Sequence, residues 1–364
     1  KKARQEFNSL HYVEASRQLQ AILKKDSTLM PAQEMLAYSY RMLNDYKGAL
    51  KGYKKLIQQQ PVKPEWALYY AEALASNEQY ESSEGWYRKY LSLVPADRRT
   101  AVFARKNSSQ FKNAGNWAVN YTNINTQSAE YAPVFYKDGL IFSSNRPTGA
   151  LSKHVFSWDN IPFTNLYLIN DLSEIKTVDP DDLKAESKNA VRQKYWFNDD
   201  DTSPTSNDTR NLGIYHHKMQ KDTLGSLLAG SVRPLILAGK INTRYHEAAA
   251  AIFPDGSVIF TRNNYFNGRR QTSLQGINKL KLYTASGSHL SKLVEFSHNS
   301  NEYSTGHPAL NKQGNILVFA SDRPGGYGGT DLYYCVRSGK GQWSKPVNLG
   351  KQINTEGNEM FPFL

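Results

Sequence analysis

Three short stretches of this 364-residue chain carry residue types that could do chemistry. His246 and Glu247 begin like a zinc-protease helix, but no second histidine follows at the required spacing. Glycines in residues 325–329 resemble a phosphate-binding loop, yet neither a Lys-Ser/Thr ending nor a helical pattern follows. The acidic loop from Asp199 to Asp201 offers carboxylates to calcium but lacks EF-hand spacing and a turn glycine. We therefore expect a strand entry, a tight inter-strand loop and a plain acidic loop, respectively.

No other reactive constellation stands out. His216, His217 and His307 have no partner whose proximity the sequence can establish, and no Gly-x-Ser-x-Gly nucleophile motif occurs. The single cysteine, Cys335, excludes a disulfide framework or a Cys-rich zinc site built within this chain. Paired carboxylates occur throughout, which leaves a glycosidase open as a minor alternative. We predict that the chain is not an enzyme and has no catalytic residues, metal or cofactor.

The composition indicates a folded protein of two or three domains, since 39% of the residues are hydrophobic and 12% aromatic. A net charge of +12 alongside 33 acidic residues indicates a mixed surface that weakly favours acidic partners. No apolar run approaches the roughly 20 residues of a membrane helix, so we expect no transmembrane segment. Lys1 opens directly into an amphipathic pattern, so any export signal is expected to have been removed or to lie outside this sequence.

The first part of the chain repeats every 34 residues, which is the period of a helix-turn-helix array similar to the tetratricopeptide repeat. One set of positions spaced 34 residues apart holds Tyr12, Tyr46 and Tyr80. Another such set holds the small residues Ala15, Ala49 and Ser83. Small side chains let two helices pack closely where they cross. Pro61 and Pro95 close two of the units, because proline cannot continue a helix. We predict such an array over residues 1–115, with a basic capping helix over residues 96–111.

Arrays of this kind present a concave groove lined by the first helix of each pair. The residues expected to face outward there, as candidates for protein binding, are Glu34, Tyr38, Arg41, Leu68 and Glu72. An ordinary solvated helix face is the alternative for any one of them. A basic ridge is also possible on the capping helix, from Arg98, Arg99, Arg105 and Lys106.

From residue 116 onward the pattern changes to short alternating runs separated by Gly, Pro, Asn and Asp, which is typical of strands joined by tight turns. The phrase Ile-Asn-Thr, with a glutamate six residues after the isoleucine, begins at Ile124, Ile241 and Ile353, with a diverged copy near His298. Hairpin turns that need a residue tolerant of positive φ are predicted at residues 137–139, 254–256 and 312–314.

Repeated units of roughly 50 to 60 residues with about four strands are typical of β-propeller blades. The wide interval between the first two copies leaves room for one degenerate blade, so the blade number stays open. The chain ends in the opening strand of a further unit. Either more blades follow, which we favour, or this strand completes the first blade. The predicted fold is α+β in two domains: a tetratricopeptide array with its capping helix over residues 1–115, and a WD-like all-β propeller, incomplete in this chain, over residues 116–364.

Two phrases carry a family resemblance. Residues 321–333 (SDRPGGYGGTDLY) and 353–362 (INTEGNEMFP) resemble the WD-like propeller of Bacteroidota cell-envelope proteins of the OmpA family. With the helical array before it, the chain resembles the PorE type, which is linked to the type IX secretion system and gliding motility. The resemblance implies a periplasmic, outer-membrane-associated protein, often a lipoprotein, whose lipid-bearing cysteine would lie upstream of Lys1. The family's peptidoglycan-binding domain has no counterpart here, so contact with peptidoglycan would run through a domain outside this sequence.

Two repeat modules in series, together with that resemblance, predict a non-enzymatic scaffold that docks protein partners. Type IX secretion components are the partners that the resemblance implies. The alternative is a propeller that binds or cleaves glycans or peptides. A nucleic-acid role ranks third, because the +12 charge permits phosphate contacts but no RNA-recognition signature accompanies it. The sequence leaves open the oligomeric state, lipidation and the surface that meets each partner.

Overall fold

The computed structural model describes residues 1–99, 120–126, 128–146, 155–178, 232, 234–339 and 341–364. Helices come first and antiparallel strands follow, which confirms the predicted α+β class. The described chain divides into two compact units. The helical unit comprises residues 1–99 and 155–161, and the strand unit comprises residues 120–146, 162–178 and 232–364. The Asp199–Asp201 loop, Arg105, Lys106, His216, His217 and most of the expected capping helix lie outside the described residues.

Six α-helices build the described part of the helical unit: α1 (Lys2–Asn8), α2 (Tyr12–Lys25), α3 (Met30–Met42), α4 (Tyr46–Leu56), α5 (Pro64–Ala75) and α6 (Tyr80–Leu93). Local signals set where they start. The Asp45 side chain caps α4 by accepting a hydrogen bond from the Gly48 amide at 2.9 Å. Pro64 occupies the first turn of α5, where a missing N–H costs nothing.

Close packing between consecutive helices forms the core of the helical unit. Ala15, Ala49 and Ser83, the small residues of the 34-residue period, are 0%, 3% and 3% exposed. A Cβ placed on Gly52 of α4 would lie only 2.7 Å from the Ala37 Cβ of α3, so these two backbones approach more closely there than larger residues allow. The three small residues of the period are therefore in the core, and α3 and α4 approach closely at Ala37 and Gly52.

The described strands are β1 (Tyr121–Thr122), β2 (Glu130–Tyr136), β3 (Gly139–Ser144), β4 (Asn165–Ile169), β5 (Thr177–Val178), β6 (Leu235–Ile236), β7 (Glu247–Ile252), β8 (Val258–Asn263), β9 (Tyr265–Phe266), β10 (Arg269–Arg270), β11 (Leu280–Ser286), β12 (Lys292–Glu295), β13 (Thr305–Leu310), β14 (Ile316–Ser321), β15 (Asp331–Val336) and β16 (Val347–Asn348). They form three four-stranded antiparallel sheets, each ordered as in the sequence. The first sheet is β2-β3-β4-β6, the second β7-β8-β11-β12 and the third β13-β14-β15-β16. Two short pairs, β1 with β5 and β9 with β10, lie outside these sheets.

The predicted hairpins join the first two strands of each sheet. The residue with positive φ is Gly256 in the second sheet and Gly314 in the third, but Lys137 in the first. Each first strand also carries a bulge at a residue in the left-handed region, at Ala132, Ala249 or His307. Phe361, after β16, also lies in the left-handed region.

Apolar side chains between neighbouring sheets form the core of the strand unit. One cluster joins the first and second sheets through residues such as Ile141 and Phe260. A second cluster joins the second and third sheets through residues such as Ile259 and Phe319. The first strands also contact each other in order, β2 with β7 and β7 with β13.

Asparagine side chains explain part of the repeated Ile-Asn-Thr phrase. Asn242, Asn299 and Asn354 each accept a hydrogen bond from the amide of a leucine, at 2.8, 3.0 and 2.8 Å, and donate one to the same leucine's carbonyl. Those leucines are Leu166, Leu282 and Leu332, near the start of the third strand of each sheet. These three asparagines therefore fasten the chain between sheets onto the preceding sheet. Among the described residues, no helix is both long and apolar enough to cross a membrane.

Candidate binding groove

A cavity of about 350 Å³ lies between α1 and α3 in the helical unit. It is lined by Arg4, Phe7, Pro31, Glu34, Met35 and Tyr38. The lining combines an arginine, a carboxylate, two aromatic rings and apolar side chains. Two of the sequence candidates, Glu34 and Tyr38, therefore lie in the same cavity, on adjacent turns of α3.

Tyr38 lies in a row of aromatic rings that crosses the first three helices and continues to α5. Its ring centroid is 5.6 Å from that of Phe7, 6.1 Å from that of Tyr12 and 6.1 Å from that of Tyr69. The contacts with Phe7 and Tyr69 are edge-to-face, the arrangement that aromatic quadrupoles favour. Tyr38 remains partly exposed. The row therefore places an aromatic face beside the cavity.

Arg41 and Glu72 form an ion pair between α3 and α5, with Arg41 Nε 2.8 Å from Glu72 Oε2. The Arg41 guanidinium also lies 4.2 Å from the centroid of the Tyr69 ring. Burial alone would lower the pKa of Arg41, but the charge and hydrogen bond of Glu72 and the nearby Tyr69 and Tyr53 together outweigh burial, so the pKa lies above its ordinary value. The structure thus brings these two candidates together as a charged pair.

Side chains at the start of α5 bind the Glu34 carboxylate. The Lys63 Nζ donates to both carboxylate oxygens at 3.0 Å, and the Trp66 indole Nε1 donates to one of them at 2.8 Å. The Lys63 ammonium lies 4.8 Å from the centre of the Trp66 ring. Since the Glu34 and Lys63 side chains are 39% and 51% exposed, this ion pair is accessible to a ligand that could compete for either charge.

Leu68 does not belong with the other four candidates. It is 5% exposed and packs with Ala71, Tyr87 and Tyr90 in the core between α5 and α6. The expectation that Leu68 faces outward is therefore wrong. An apolar side chain at this position is covered by the following helix, whereas the charged Glu34, one period earlier, remains partly exposed.

Four of the lining residues, Arg4, Phe7, Pro31 and Met35, were absent from the sequence candidates. The 34-residue period contains the signal for two of them. Arg4 precedes Tyr38 by one period, and Phe7 precedes Arg41 by one period. The seven residues of α1 are fewer than those of α3 or α5, so the sequence pattern of this helix is weak, yet it supplies one wall of the cavity.

Residues 155–161 also belong to the helical unit, although they follow β3 and precede β4 in the chain. The Trp158 Nε1 donates to the Met42 carbonyl at 2.9 Å, which satisfies a carbonyl at the C-terminal end of α3. Its ring centroid lies 4.8 Å from that of Tyr12. Tyr12 is 3% exposed, whereas its period equivalents Tyr46 and Tyr80 are 50% and 59% exposed. Of these three equivalent tyrosines only Tyr12 is buried, and Trp158 lies against it.

Near the other end of the helical unit, Asp97 neutralises part of the expected basic ridge. The Arg99 Nη2 donates to Asp97 Oδ2 at 2.5 Å, and the Tyr90 hydroxyl donates to the same oxygen at 2.5 Å. Burial alone would raise the pKa of Asp97. The hydrogen bonds from Arg99 and Tyr90, together with the Arg99 charge, outweigh burial, so the pKa lies below its ordinary value and the carboxylate is held ionised. Arg99 therefore has a structural partner in the chain.

The chemical candidates of the strand unit are held in structural contacts. The His246 Nδ1 lies 3.1 Å from the Thr164 amide nitrogen, and Glu247 lies 3.1 Å from the Arg262 guanidinium. In the glycine-rich loop, the amides of Tyr327 and Gly328 donate to the Asp331 carboxylate, so the chain's own carboxylate occupies the loop. Within the described ranges, no group of three or more His, Cys, Asp or Glu side chains could hold a metal.

Comparison with known proteins adds no identity: neither a protein-family model nor a curated protein matches this chain. What the groove binds must therefore be inferred from its own side chains. They offer aromatic faces, apolar contacts and charges of both signs, a combination suited to holding a peptide by its side chains.

Proposed function

We propose that this chain is a non-enzymatic docking protein whose helical groove binds an extended segment of a partner protein. The observation that carries the proposal is the cavity between α1 and α3, in which the aromatic Phe7 and Tyr38 lie beside the charged Arg4 and Glu34. Aromatic anchors next to charged groups are the usual composition of a peptide-binding hot spot. The ion pair of Arg41 and Glu72 would extend the charged surface along the same helices.

The helices are, on this proposal, a tetratricopeptide array. Support comes from the 34-residue period, because two sets of its equivalent residues share their burial: the small residues Ala15, Ala49 and Ser83 and the bulky residues that follow them. Leu19, Tyr53 and Tyr87, one turn after the small residues, are all in the core. The groove would then be the concave surface lined by α1, α3 and α5, where repeat arrays of this kind hold extended segments.

The three sheets are, on the same proposal, blades of a WD-like β-propeller. Support comes from their identical strand order, the contacts between successive first strands and the cores between neighbouring sheets. The positive φ of Phe361, which matches that of Ala132, Ala249 and His307, and the Thr355–Glu359 hydrogen bonds support a repeat of the same local arrangement there. Radial packing of this kind buries both faces of each blade.

The cellular setting follows from the family resemblance alone. We propose that the protein works in the periplasm in association with the outer membrane, and that its partners are type IX secretion components. Contact with peptidoglycan would need the family's further domain. The groove proposal does not depend on this setting, because it is drawn from the side chains of α1 and α3.

Site-specific photo-crosslinking tests the groove. The photoreactive amino acid p-benzoylphenylalanine would replace Tyr38 in one variant and the exposed Lys51 on α4 in the control, and each would be mixed with purified type IX secretion components one at a time. We expect a crosslink from position 38 and none from position 51. Tyr38→Ala should weaken binding of the same component by roughly 10-fold or more. Equal crosslinking from both positions would contradict groove binding, whereas no crosslink from position 38 would contradict type IX secretion components as the partners.

A further inference from the structure

Three arginines of the strand unit lie over equivalent pairs of aromatic rings, one pair in each sheet. Arg146 lies 5.1 Å from the centre of the Phe142 ring and 5.3 Å from that of Tyr167. Arg262 lies 5.1 Å from the rings of both Phe260 and Tyr283. Arg323 lies 5.3 Å from the ring of Phe319 and 4.9 Å from that of Tyr333. The three sheets therefore place a guanidinium at the same internal position.

In the first two sheets a glutamate on the first strand neutralises this arginine. The Arg146 Nη2 lies 3.0 Å from Glu130 Oε1, and the Arg262 Nε lies 3.1 Å from Glu247 Oε1. All four side chains are largely buried. A buried guanidinium of this kind needs a carboxylate partner, because an uncompensated charge is costly inside a protein.

The third sheet has Thr305 where the others have glutamate. The β-sheet register pairs Thr305 with Ser321, as it pairs Glu130 with Ser144 in the first sheet. Arg323 has the same local arrangement as Arg146, because its Nε donates to the Ser321 hydroxyl at 3.1 Å just as the Arg146 Nε donates to Ser144 at 3.2 Å. Compared with the first sheet, the third sheet therefore lacks only the glutamate carboxylate in this local arrangement.

Three buried polar atoms around this position have no hydrogen-bond partner among the described residues: Arg323 Nη2, Thr305 Oγ1 and Tyr333 Oη. All three can donate a hydrogen bond. The two acidic residues closest to Arg323 in the sequence make other contacts. Asp322 binds Lys279, and Asp331 accepts hydrogen bonds from the glycine-rich loop and from Asn348.

We propose that Arg323 and Thr305 form a binding site for one small carboxylate anion of the size of formate or acetate. The anion would take the position that the Glu130 carboxylate holds in the first sheet, with its oxygens on Arg323 Nη2 and the Thr305 hydroxyl. Thr305 is 0% exposed and the Arg323 Nη2 atom is out of contact with solvent, so the proposed anion would be enclosed by the protein and has to be small. A guanidinium and a hydroxyl suit a carboxylate because both donate to its oxygens.

Thermal unfolding in sodium formate tests this site. Formate would be raised to roughly 100 mM, with sodium chloride making up the ionic strength so that screening stays constant. A ligand at ten times its Kd should raise the unfolding midpoint by roughly 3 °C or more relative to chloride. Isothermal titration with formate would measure the same binding directly.

Two variants identify the residues. Arg323→Gln should lose the formate-dependent shift because the charge is gone. Thr305→Glu supplies the carboxylate that the other two sheets contain, so this variant should unfold at a higher temperature without formate and should no longer respond to it. Arg146→Gln is the matched control, because its partner lies within the chain, and it should keep the response. An equal midpoint of the wild-type protein in formate and chloride would overturn the proposal, as would an unchanged response in Thr305→Glu or in Arg323→Gln.

Discussion

Glu247 and Arg262 form an ion pair inside the second sheet, with Arg262 Nε 3.1 Å from Glu247 Oε1 and side chains that are 0% and 2% exposed. Removing one partner leaves the other charge buried without compensation. We therefore expect Arg262→Gln to lower the free energy of unfolding of the strand unit by about 3–5 kcal/mol, as measured by urea denaturation. Arg270→Gln on the exposed β10 is the control and should change it by less than about 0.5 kcal/mol. A loss below about 1 kcal/mol in Arg262→Gln would mean that the pair is not structurally important.

Two helical glycines should respond to alanine with opposite signs. A Cβ on Gly52 would lie 2.7 Å from the Ala37 Cβ, whereas a Cβ on Gly85 of α6 would meet no atom within 4 Å. Gly52→Ala is expected to destabilise the helical unit by about 1–3 kcal/mol through overpacking. Gly85→Ala is expected to stabilise it by about 0.5–1 kcal/mol, since alanine is the better helix former. Chemical denaturation of both variants checks the signs, and the same sign in both would contradict the close crossing of α3 and α4.

Substitutions of Leu68 and Glu34 should distinguish a core residue from a surface residue among the groove candidates. Leu68→Ala should lower the free energy of unfolding by about 2–5 kcal/mol because it removes buried apolar atoms. Glu34→Gln should change it by less than about 1 kcal/mol, because an exposed ion pair contributes little. Denaturation of the two variants distinguishes them. Comparable stability losses would show that Glu34 has a structural role and is a poor probe of binding.

The packing of the helical unit was largely predictable, because one period relates its residues. Ala15 and Ala49 were assigned to helix crossings by spacing alone, and both are buried. Leu68 was misplaced because a period aligns positions along the chain and does not report which neighbouring helix covers a side chain. Tyr87 and Tyr90 on α6 provide that cover.

Other contacts could not be predicted from local pattern. Trp158 reaches Met42 across 116 residues of sequence, and no spacing rule links the two. In the sheets, the Ile-Asn-Thr phrase marked the repeat, but its physical reason, the clamp of Asn242 on Leu166, needed three-dimensional neighbours. The arginine over each aromatic pair was hidden for a further reason: Arg262 lies within β8, whereas Arg146 and Arg323 follow the ends of β3 and β14.

Trp158 should hold residues 155–161 on the helical unit by two contacts that can be removed separately. Trp158→Phe keeps an aromatic ring near Tyr12 but loses the hydrogen bond to Met42, which should cost about 1 kcal/mol. Trp158→Ala removes both contacts and should cost more. Hydrogen exchange of the Asn160 amide, which donates to the Phe156 carbonyl, reports on the segment. Faster exchange in the order wild type, Phe, Ala is expected, and unchanged exchange in Trp158→Ala would refute the anchoring role.

His307 should make the strand unit sensitive to acid. Its ring stacks on Phe361 with centroids 4.0 Å apart, and burial lowers its pKa from 6.5 to about 4. Because the folded pKa lies below the unfolded value, the unfolded state binds the proton more tightly. This stabilisation is fully present above about pH 6.5 and is lost as the pH falls toward 4, by up to about 3 kcal/mol.

Urea denaturation of wild type and His307→Asn near pH 7.5 and near pH 4.5 measures the effect of that histidine. Asparagine tolerates the positive φ of this position, so the backbone can be kept. The variant should lose less stability on acidification than the wild type does.

Burial also lowers the pKa of His246 to about 4, so part of the acid sensitivity should remain. Burial raises the pKa of Glu247 to about 7, which acts with the opposite sign and reduces stability as the pH rises through that value. His289→Asn, at an exposed residue with the same positive φ, is the control and should leave the wild-type pH dependence intact. If His307→Asn and His289→Asn lose equal stability on acidification, His307 is not the acid-sensitive group.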